Sequence, residues 1–100
     1  MSRKRLVFRP IARRELLDAV SWYDNESVNL GNRLLEEANA GLERIYANPE
    51  AYNFTYLGTR AYRLPSFPYL IYYLRKDDQI VVFAFLHERE DSLRVQHRLN

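Results

Sequence analysis

Two β-prone runs joined by a polar turn decide the fold: YLIYYLR (69–75), KDDQ (76–79) and IVVFAFLH (80–87). β-branched and aromatic residues favour extended strands, and a short polar turn between two such runs is typical of a β-hairpin. Every residue from 80 to 86 is apolar, so the even-numbered positions on one face and the odd-numbered positions on the other are both hydrophobic. This pattern predicts a central strand that is covered on both faces.

The residues before this hairpin predict two helices. Residues 5–9 alternate charge and bulk as a short strand does, and Pro10 suits the first turn of a helix. One apolar helical face follows, formed by Ala12, Leu16, Ala19, Val20 and Tyr23. After a turn at 25–31, with Ser27 or Asn29 available as an N-cap, a second face is formed by Leu35, Ala38, Leu42, Ile45 and Tyr46.

The second helix is expected to end at residues 48–49, and the two helices should form an antiparallel hairpin. A glycine in mid-helix costs about 1 kcal/mol relative to alanine, so Gly41 is interpreted as a close-packing point of that hairpin. Residues 60–64 predict another strand, residues 65–68 a turn, and residues 88–100 a loop or one helical turn.

The resulting order is β-α-α-β-β-β in one domain spanning residues 1–100, an α+β fold with the helical hairpin packed on a mainly antiparallel sheet. The helical hairpin covers one face of the central strand. The other face has two equally weighted interpretations. It forms an apolar groove that marks a partner site, or Tyr69, Tyr73 and the C-terminal tail fold over it.

Composition excludes several classes of protein. Hydrophobic residues make up 47% and charged residues 28% of 100 residues, which is typical of a globular domain. The absence of cysteine excludes disulfides, thiol catalysis and Cys-ligated zinc, and fits the cytoplasm best. No secretion signal, membrane-length apolar run or glycine-rich phosphate loop is present, so we expect no membrane contact, no cofactor and no metal.

The basic residues are 13 arginines and 2 lysines, yet the net charge is only +2. Arginine binds carboxylate and phosphate groups in a planar, bidentate manner. The low net charge favours a protein partner over an enzyme that acts on nucleic acid.

The chain resembles the RelE/ParE superfamily of toxins from type II toxin–antitoxin systems. The resemblance rests on RPIARREL (9–16) with WY (22–23), LERI (42–45) with NPE (48–50), and RAYRL (60–64), FPYLIYY (67–73) and VFAFLHER (82–89). The family usually has two consecutive arginines where this chain has Arg89 and then Glu90.

The resemblance implies two alternative activities. A RelE-like toxin cleaves mRNA on the ribosome, and its catalytic set here would be Arg60, Arg63, His87 and Arg89. A ParE-like toxin inhibits DNA gyrase by binding and needs no catalysis. The scarcity of lysine and the low net charge favour the ParE-like activity. A third possibility, suggested by Glu90, is an attenuated binding module in plasmid maintenance.

Each candidate residue also has a purely structural interpretation. His87 can simply hydrogen-bond to the backbone at a strand end, and the arginines can form surface ion pairs with residues 88, 90 or 91. As a toxin, the chain should form a hetero-oligomer with a cognate antitoxin whose disordered tail folds on binding. The predicted contact residues for the antitoxin or target are Arg60, Arg63, Tyr69, Tyr72, Tyr73, Phe83, Phe85 and Arg89.

Overall fold

The computed structural model describes residues 4–55, 58–90 and 92–99. Its elements are β1 (Arg5–Phe8), α1 (Pro10–Glu26), α2 (Leu30–Ala47), β2 (Arg60–Arg63), β3 (Tyr69–Lys76), β4 (Gln79–His87) and α3 (Ser92–Leu99), with a 3-10 turn at Pro49–Ala51. The predicted α+β order is confirmed. The tail forms an eight-residue helix, longer than the loop or single turn expected for it.

The four strands form one sheet in the order β1-β4-β3-β2. β1 runs parallel to β4, while β4, β3 and β2 are antiparallel, so the mainly antiparallel sheet is confirmed. The hairpin between β3 and β4 turns through Asp77, whose φ of 57° lies in the left-handed region that tight hairpin turns require. β4 lies between two strands, as its apolar sequence predicts.

The hairpin of α1 and α2 buries the predicted stripe of α1, with Ala12, Leu16 and Ala19 inaccessible to solvent. Asn29 occupies the N-cap position of α2 but its side chain makes no capping hydrogen bond. The cap comes from α1 instead, because the Gly31 amide donates to Asp24 Oδ1 at 2.9 Å. A side chain at Gly31 would lie 2.5 Å from the Val20 carbonyl, so glycine permits this close crossing.

Gly41 packs against the sheet, which corrects the expectation that it packs between the helices. A Cβ atom at this position would lie 2.6 Å from the ring of Tyr62 on β2 and 3.2 Å from Ile71 on β3. The missing side chain therefore lets α2 approach the sheet closely enough to bury Tyr62. The close approach within the helical hairpin belongs to Gly31.

A β-bulge interrupts the simple alternation expected for β4. Tyr73 pairs with Val82 and Tyr72 pairs with Ala84, which leaves Phe83 as an extra residue. Before the bulge, Ile80 and Val82 face the helical hairpin, whereas after it Phe85 does, and Phe83, Ala84 and Leu86 face the other way. Phe83 lies opposite Val82 as predicted, but the predicted faces are wrong from Ala84 onward, because one inserted residue reverses the alternation.

The second face of β4 is covered by α3. Val95 of this helix packs on Phe83, Ala84 and Leu86, with Tyr72 and Leu74 at the edge of the cluster. Of the two interpretations of this face, the structure supports covering by the tail. Tyr69 and Tyr73 take no part in that cover, because they lie on the face that carries the helical hairpin.

Candidate functional site

The two arginines of β2 lie on opposite faces of the sheet. Arg60 shares its face with Tyr62, which packs in the core beneath the helical hairpin, and Arg63 alternates to the other face. The Arg60 guanidinium donates to the carbonyl oxygens of Tyr52 at 2.6 Å and Glu50 at 3.1 Å, and it stacks on the Phe54 ring at 3.8 Å. Arg60 therefore fastens the segment that follows α2 to the sheet.

Arg63 forms a surface ion pair with Glu88, as expected if this arginine has a purely structural role. Its Nε and Nη2 atoms donate to Glu88 Oε1 at 3.1 and 2.8 Å, and its Nη1 atom donates to the Leu64 carbonyl at 3.0 Å. Both charged side chains remain about half exposed, so the pair contributes little to stability. Arg63 stays reachable by a partner.

His87 and Arg89 lie at the end of β4. The Arg89 amide donates to His87 Nδ1 at 3.1 Å, so this ring nitrogen is an acceptor and the ring proton belongs on Nε2. This hydrogen bond to the backbone at a strand end is the one expected if His87 has a purely structural role. The side chain of Arg89 is exposed and has no ion pair within the described residues.

The predicted catalytic residues are not brought together. Arg60 pairs with Tyr73 and His87 pairs with Tyr69, which separates them by four residues along β3, or about 13 Å at 3.3 Å per residue. Arg63 points to the other face of the sheet, and β3 lies between β2 and β4. Arg60 and Arg63 therefore do not lie together beside His87 on one face of the sheet, as a catalytic set would require.

Three predicted contact residues are buried within the chain: Tyr73, Phe83 and Phe85. The Tyr73 hydroxyl donates to the Pro49 carbonyl at 2.6 Å, and burial raises the pKa of this tyrosine to about 12. These side chains support the surface from beneath and are covered in this conformation. Tyr69 and Tyr72 are half buried, and they remain predicted contacts together with Arg63 and Arg89.

A cleft of about 260 Å³ opens where α1, the end of β4 and α3 meet. We call it the acidic cleft, and its polar and aromatic lining consists of Glu15, Asp18, Trp22, Tyr69, Phe85, His87, Glu90 and Arg94. The sequence analysis singled out Tyr69 and His87 but missed Trp22 and Asp18 as site residues. The available signal was that Trp22 lies outside the apolar stripe of α1 and is 56% exposed in the structure.

Behind the acidic cleft, Glu15 and Arg98 join α1 to α3. The Arg98 guanidinium donates to both carboxylate oxygens of Glu15, at 2.8 and 2.6 Å, and to the Phe83 carbonyl at 3.2 Å. Glu15 also accepts the Phe85 amide at 3.0 Å. We call this arrangement the Glu15–Arg98 clasp. The pairing of β1 with β4 ends at Val82, so the clasp supplies partners to backbone groups of β4 beyond that point.

A second pocket, of about 250 Å³, lies at the other end of α3. We call it the basic pocket, and it is lined by Arg9, Ile11, Leu74, Lys76, Phe83 and Arg98. Ile11 is 48% exposed, and no acidic residue contributes to the lining. The basic pocket is the part of the second sheet face that α3 leaves open, and its chemistry suits an apolar side chain next to a carboxylate.

Comparison with known proteins identifies the family of this chain and supports its fold. A family model described as the ParE toxin of the type II toxin–antitoxin system parDE matches residues 6–92. The chain belongs to this ParE family. A solved structure described as the chromosomal ParDE TA system from P. aeruginosa resembles this ParE chain with a TM-score of 0.60. That likeness covers 84% of this chain and 95% of the other at 22% identity.

At 22% identity, this structural likeness supports the fold of the ParE chain alone and carries no information about its target or site residues. No curated protein sequence matches the chain. No helix in the described part of the chain is long and apolar enough to span a membrane. The described residues also contain no group of three or more His, Asp or Glu side chains placed to hold a metal ion.

Proposed function

We propose that this ParE-family toxin inhibits DNA gyrase by binding it in the cytoplasm, without catalysis of its own, and that a cognate antitoxin neutralises it by direct contact. The observation that supports binding over catalysis is the separation of Arg60, Arg63 and His87. A ribonuclease must place cationic and proton-transferring groups around one phosphate, within hydrogen-bond reach of it.

The internal contacts of the arginines support the same proposal. Arg60 is 85% buried and its guanidinium is satisfied by backbone oxygens and Glu50, so recruiting it for phosphate chemistry would detach the segment after α2. A toxin that acts through protein contacts needs exposed side chains on a rigid surface. Arg63 and Arg89 meet that requirement, and Tyr69 and Tyr72 are half buried and partly accessible.

Neutralisation by an antitoxin is supported by the basic pocket. Arg9 and Lys76 are exposed and form no ion pair within the described residues, and Ile11 and Phe83 supply an apolar floor. An antitoxin segment that places an apolar residue beside Asp or Glu would bury the apolar surface and neutralise both cations.

The direct test measures supercoiling by purified gyrase in the presence of excess toxin. We expect inhibition that is reversed when the antitoxin is added in equimolar amount. Arg63→Gln with Arg89→Gln should weaken inhibition by about tenfold, as the loss of two partly exposed charge contacts predicts. The matched control is Arg33→Gln, an exposed arginine on α2. Supercoiling that stays unchanged at any toxin concentration would refute the proposal.

A second candidate is the RelE-like activity, tested by exposing ribosome-bound mRNA to the toxin and mapping the RNA ends. mRNA that stays intact would refute the RelE-like activity.

The third candidate, an attenuated toxin, rests on Glu90. Its carboxylate pairs at 2.5 Å with Arg94, four residues later in α3, and it lines the acidic cleft. It places a negative charge where the family usually has an arginine. Growth is compared after induction without antitoxin for the wild type and for Glu90→Arg. A harmless wild type and a lethal variant would identify Glu90 as the disabling residue.

A further inference from the structure

The acidic cleft has the opposite charge to the molecule that contains it. Its lining has three carboxylates, from Glu15, Asp18 and Glu90, and one guanidinium, from Arg94, whereas the whole chain has a net charge of +2. Arg94 already pairs with Glu90, and Glu15 is already held by Arg98. The carboxylate that stays uncompensated is that of Asp18, which is exposed and forms no ion pair within the described residues.

Aromatic rings form the walls of the acidic cleft and are held in place. Tyr69 stacks on Phe85 with ring centroids 4.9 Å apart, and the His87 ring meets its edge at 5.2 Å. Burial raises the pKa of the Tyr69 hydroxyl, and the nearby Tyr23 hydroxyl and Glu90 carboxylate raise it further, so Tyr69 stays a neutral phenol. Trp22 presents an indole that is 56% exposed, although its edge is held by Tyr23 at 4.9 Å.

A carboxylate beside an exposed indole and a half-buried tyrosine ring is chemistry that binds an organic cation. We propose that the acidic cleft binds an arginine side chain of the antitoxin, with the guanidinium against the Trp22 and Tyr69 rings and paired with the Asp18 carboxylate. This assignment rests on the proposed neutralisation by an antitoxin. Guanidinium fits better than ammonium because it is planar, stacks on rings and is more weakly hydrated.

The size of the cleft fits a single side chain. Its volume is about 260 Å³, and it adjoins a pocket of about 380 Å³ that shares Trp22, Tyr69, His87 and Glu90 with it. A phosphate or carboxylate ligand would face the Asp18 and Glu90 charges, which disfavours nucleic acid or an acidic residue here.

The two pockets together specify the charge pattern of the partner. The acidic cleft and the basic pocket lie at opposite ends of α3. Arg94 lines the cleft and Arg98, one helical turn later, lines the pocket. An antitoxin segment crossing α3 would place arginine at one end and an acidic residue at the other. Opposite charges at two fixed points determine the direction in which the segment binds.

The test uses Trp22, the only tryptophan in the chain, as the reporter. The purified toxin is titrated with N-acetyl-arginine amide to about 50 mM at constant ionic strength, which covers the millimolar affinity expected of one stacked ion pair. N-acetyl-citrulline amide has nearly the same shape without the charge, and N-acetyl-glutamate amide reverses the charge. We expect a saturable change in Trp22 fluorescence emission with the arginine probe and none with the other two probes.

Asp18→Asn should weaken binding of the arginine probe about fivefold, because it removes the charge but keeps the size of the side chain. The matched control is Glu43→Gln, which removes a carboxylate from the exposed side of α2 and should leave the affinity unchanged. Equal responses to arginine and citrulline, no saturation, or an unchanged affinity in Asp18→Asn would overturn the proposal. Gyrase takes no part in this titration, so its outcome is independent of the gyrase assay.

Repeating the titration on the toxin–antitoxin complex tests whether the antitoxin occupies the cleft. The antitoxin used has its own tryptophans replaced by phenylalanine. The response to N-acetyl-arginine amide should disappear in the complex, because the antitoxin fills the cleft. A complex that responds like the free toxin would overturn the assignment of the antitoxin.

Discussion

The Glu15–Arg98 clasp predicts that Glu15→Gln destabilises the toxin more than any exposed charge substitution on α3. Glu15 accepts three hydrogen bonds, two from Arg98 and one from the Phe85 amide, and both charged side chains are only 15% exposed. The substitution leaves one amide oxygen for these donors and places an amide NH₂ group beside the guanidinium.

The magnitude follows from the burial of the pair. Opposite charges about 4 Å apart attract by about 4 kcal/mol at an effective dielectric constant of 20, and desolvation offsets part of this gain. Removing one partner of a buried pair costs about 3–5 kcal/mol. Because both groups retain some contact with water and glutamine keeps one acceptor, we expect a loss of about 2–3 kcal/mol in the free energy of unfolding.

Urea unfolding followed by circular dichroism measures this loss, and the melting temperature should fall by about 10 °C. The matched control is Glu90→Gln on the exposed pair with Arg94, which should cost less than about 0.5 kcal/mol. In about 1 M NaCl the Debye length is about 3 Å, so the effect of the control should vanish while the Glu15 effect persists. A cost for Glu15→Gln below about 1 kcal/mol, or equal to that of the control, would refute the assignment of the clasp.

Three further substitutions test packing, capping and burial. Gly41→Ala places a Cβ atom 2.6 Å from the Tyr62 ring and should cost about 1–3 kcal/mol in urea unfolding, although alanine favours helix; a neutral result contradicts the close packing. Asp24→Ala removes the hydrogen bond to the Gly31 amide and should cost about 1 kcal/mol, whereas Asp24→Asn should restore most of it. For Tyr73→Phe, unfolding is measured against pH. The raised pKa of Tyr73, about 12 in the folded chain, makes wild-type stability fall as pH rises from about 10 to 12, and a variant that falls equally steeply contradicts this.

The order of elements could be predicted because each local signal agreed with the tertiary structure. The β3–β4 hairpin has a polar turn and apolar strands, and α1 has a proline at its start and one continuous apolar stripe. The face assignment within β4 could not be predicted beyond Phe83. A bulge inserts one residue without a sequence signal, because every residue around it is apolar and fits either face.

The site was less predictable than the fold because charged residues have several possible partners. Arg60 and Arg63 are three residues apart, and alternation alone assigns them to opposite faces of β2. Their separation from His87 follows from strand order, since β3 lies between β2 and β4. Strand order depends on long-range pairing, which a motif in the sequence does not specify. The role of Arg98 likewise depends on α3 folding back onto α1.

The arginine excess is resolved by sorting the arginines by their contacts. Among the described residues, six arginines donate side-chain hydrogen bonds to other residues: Arg44, Arg60, Arg63, Arg75, Arg94 and Arg98. By contrast, Arg9, Arg13 and Arg14 are exposed at the start of α1 and form no ion pair within the described residues. Cations near a helix N-terminus oppose the helix dipole, so they lower the stability of α1. A stability argument therefore cannot explain them. The proposed binding of an acidic antitoxin segment at the basic pocket, which Arg9 lines, would cancel part of this repulsion.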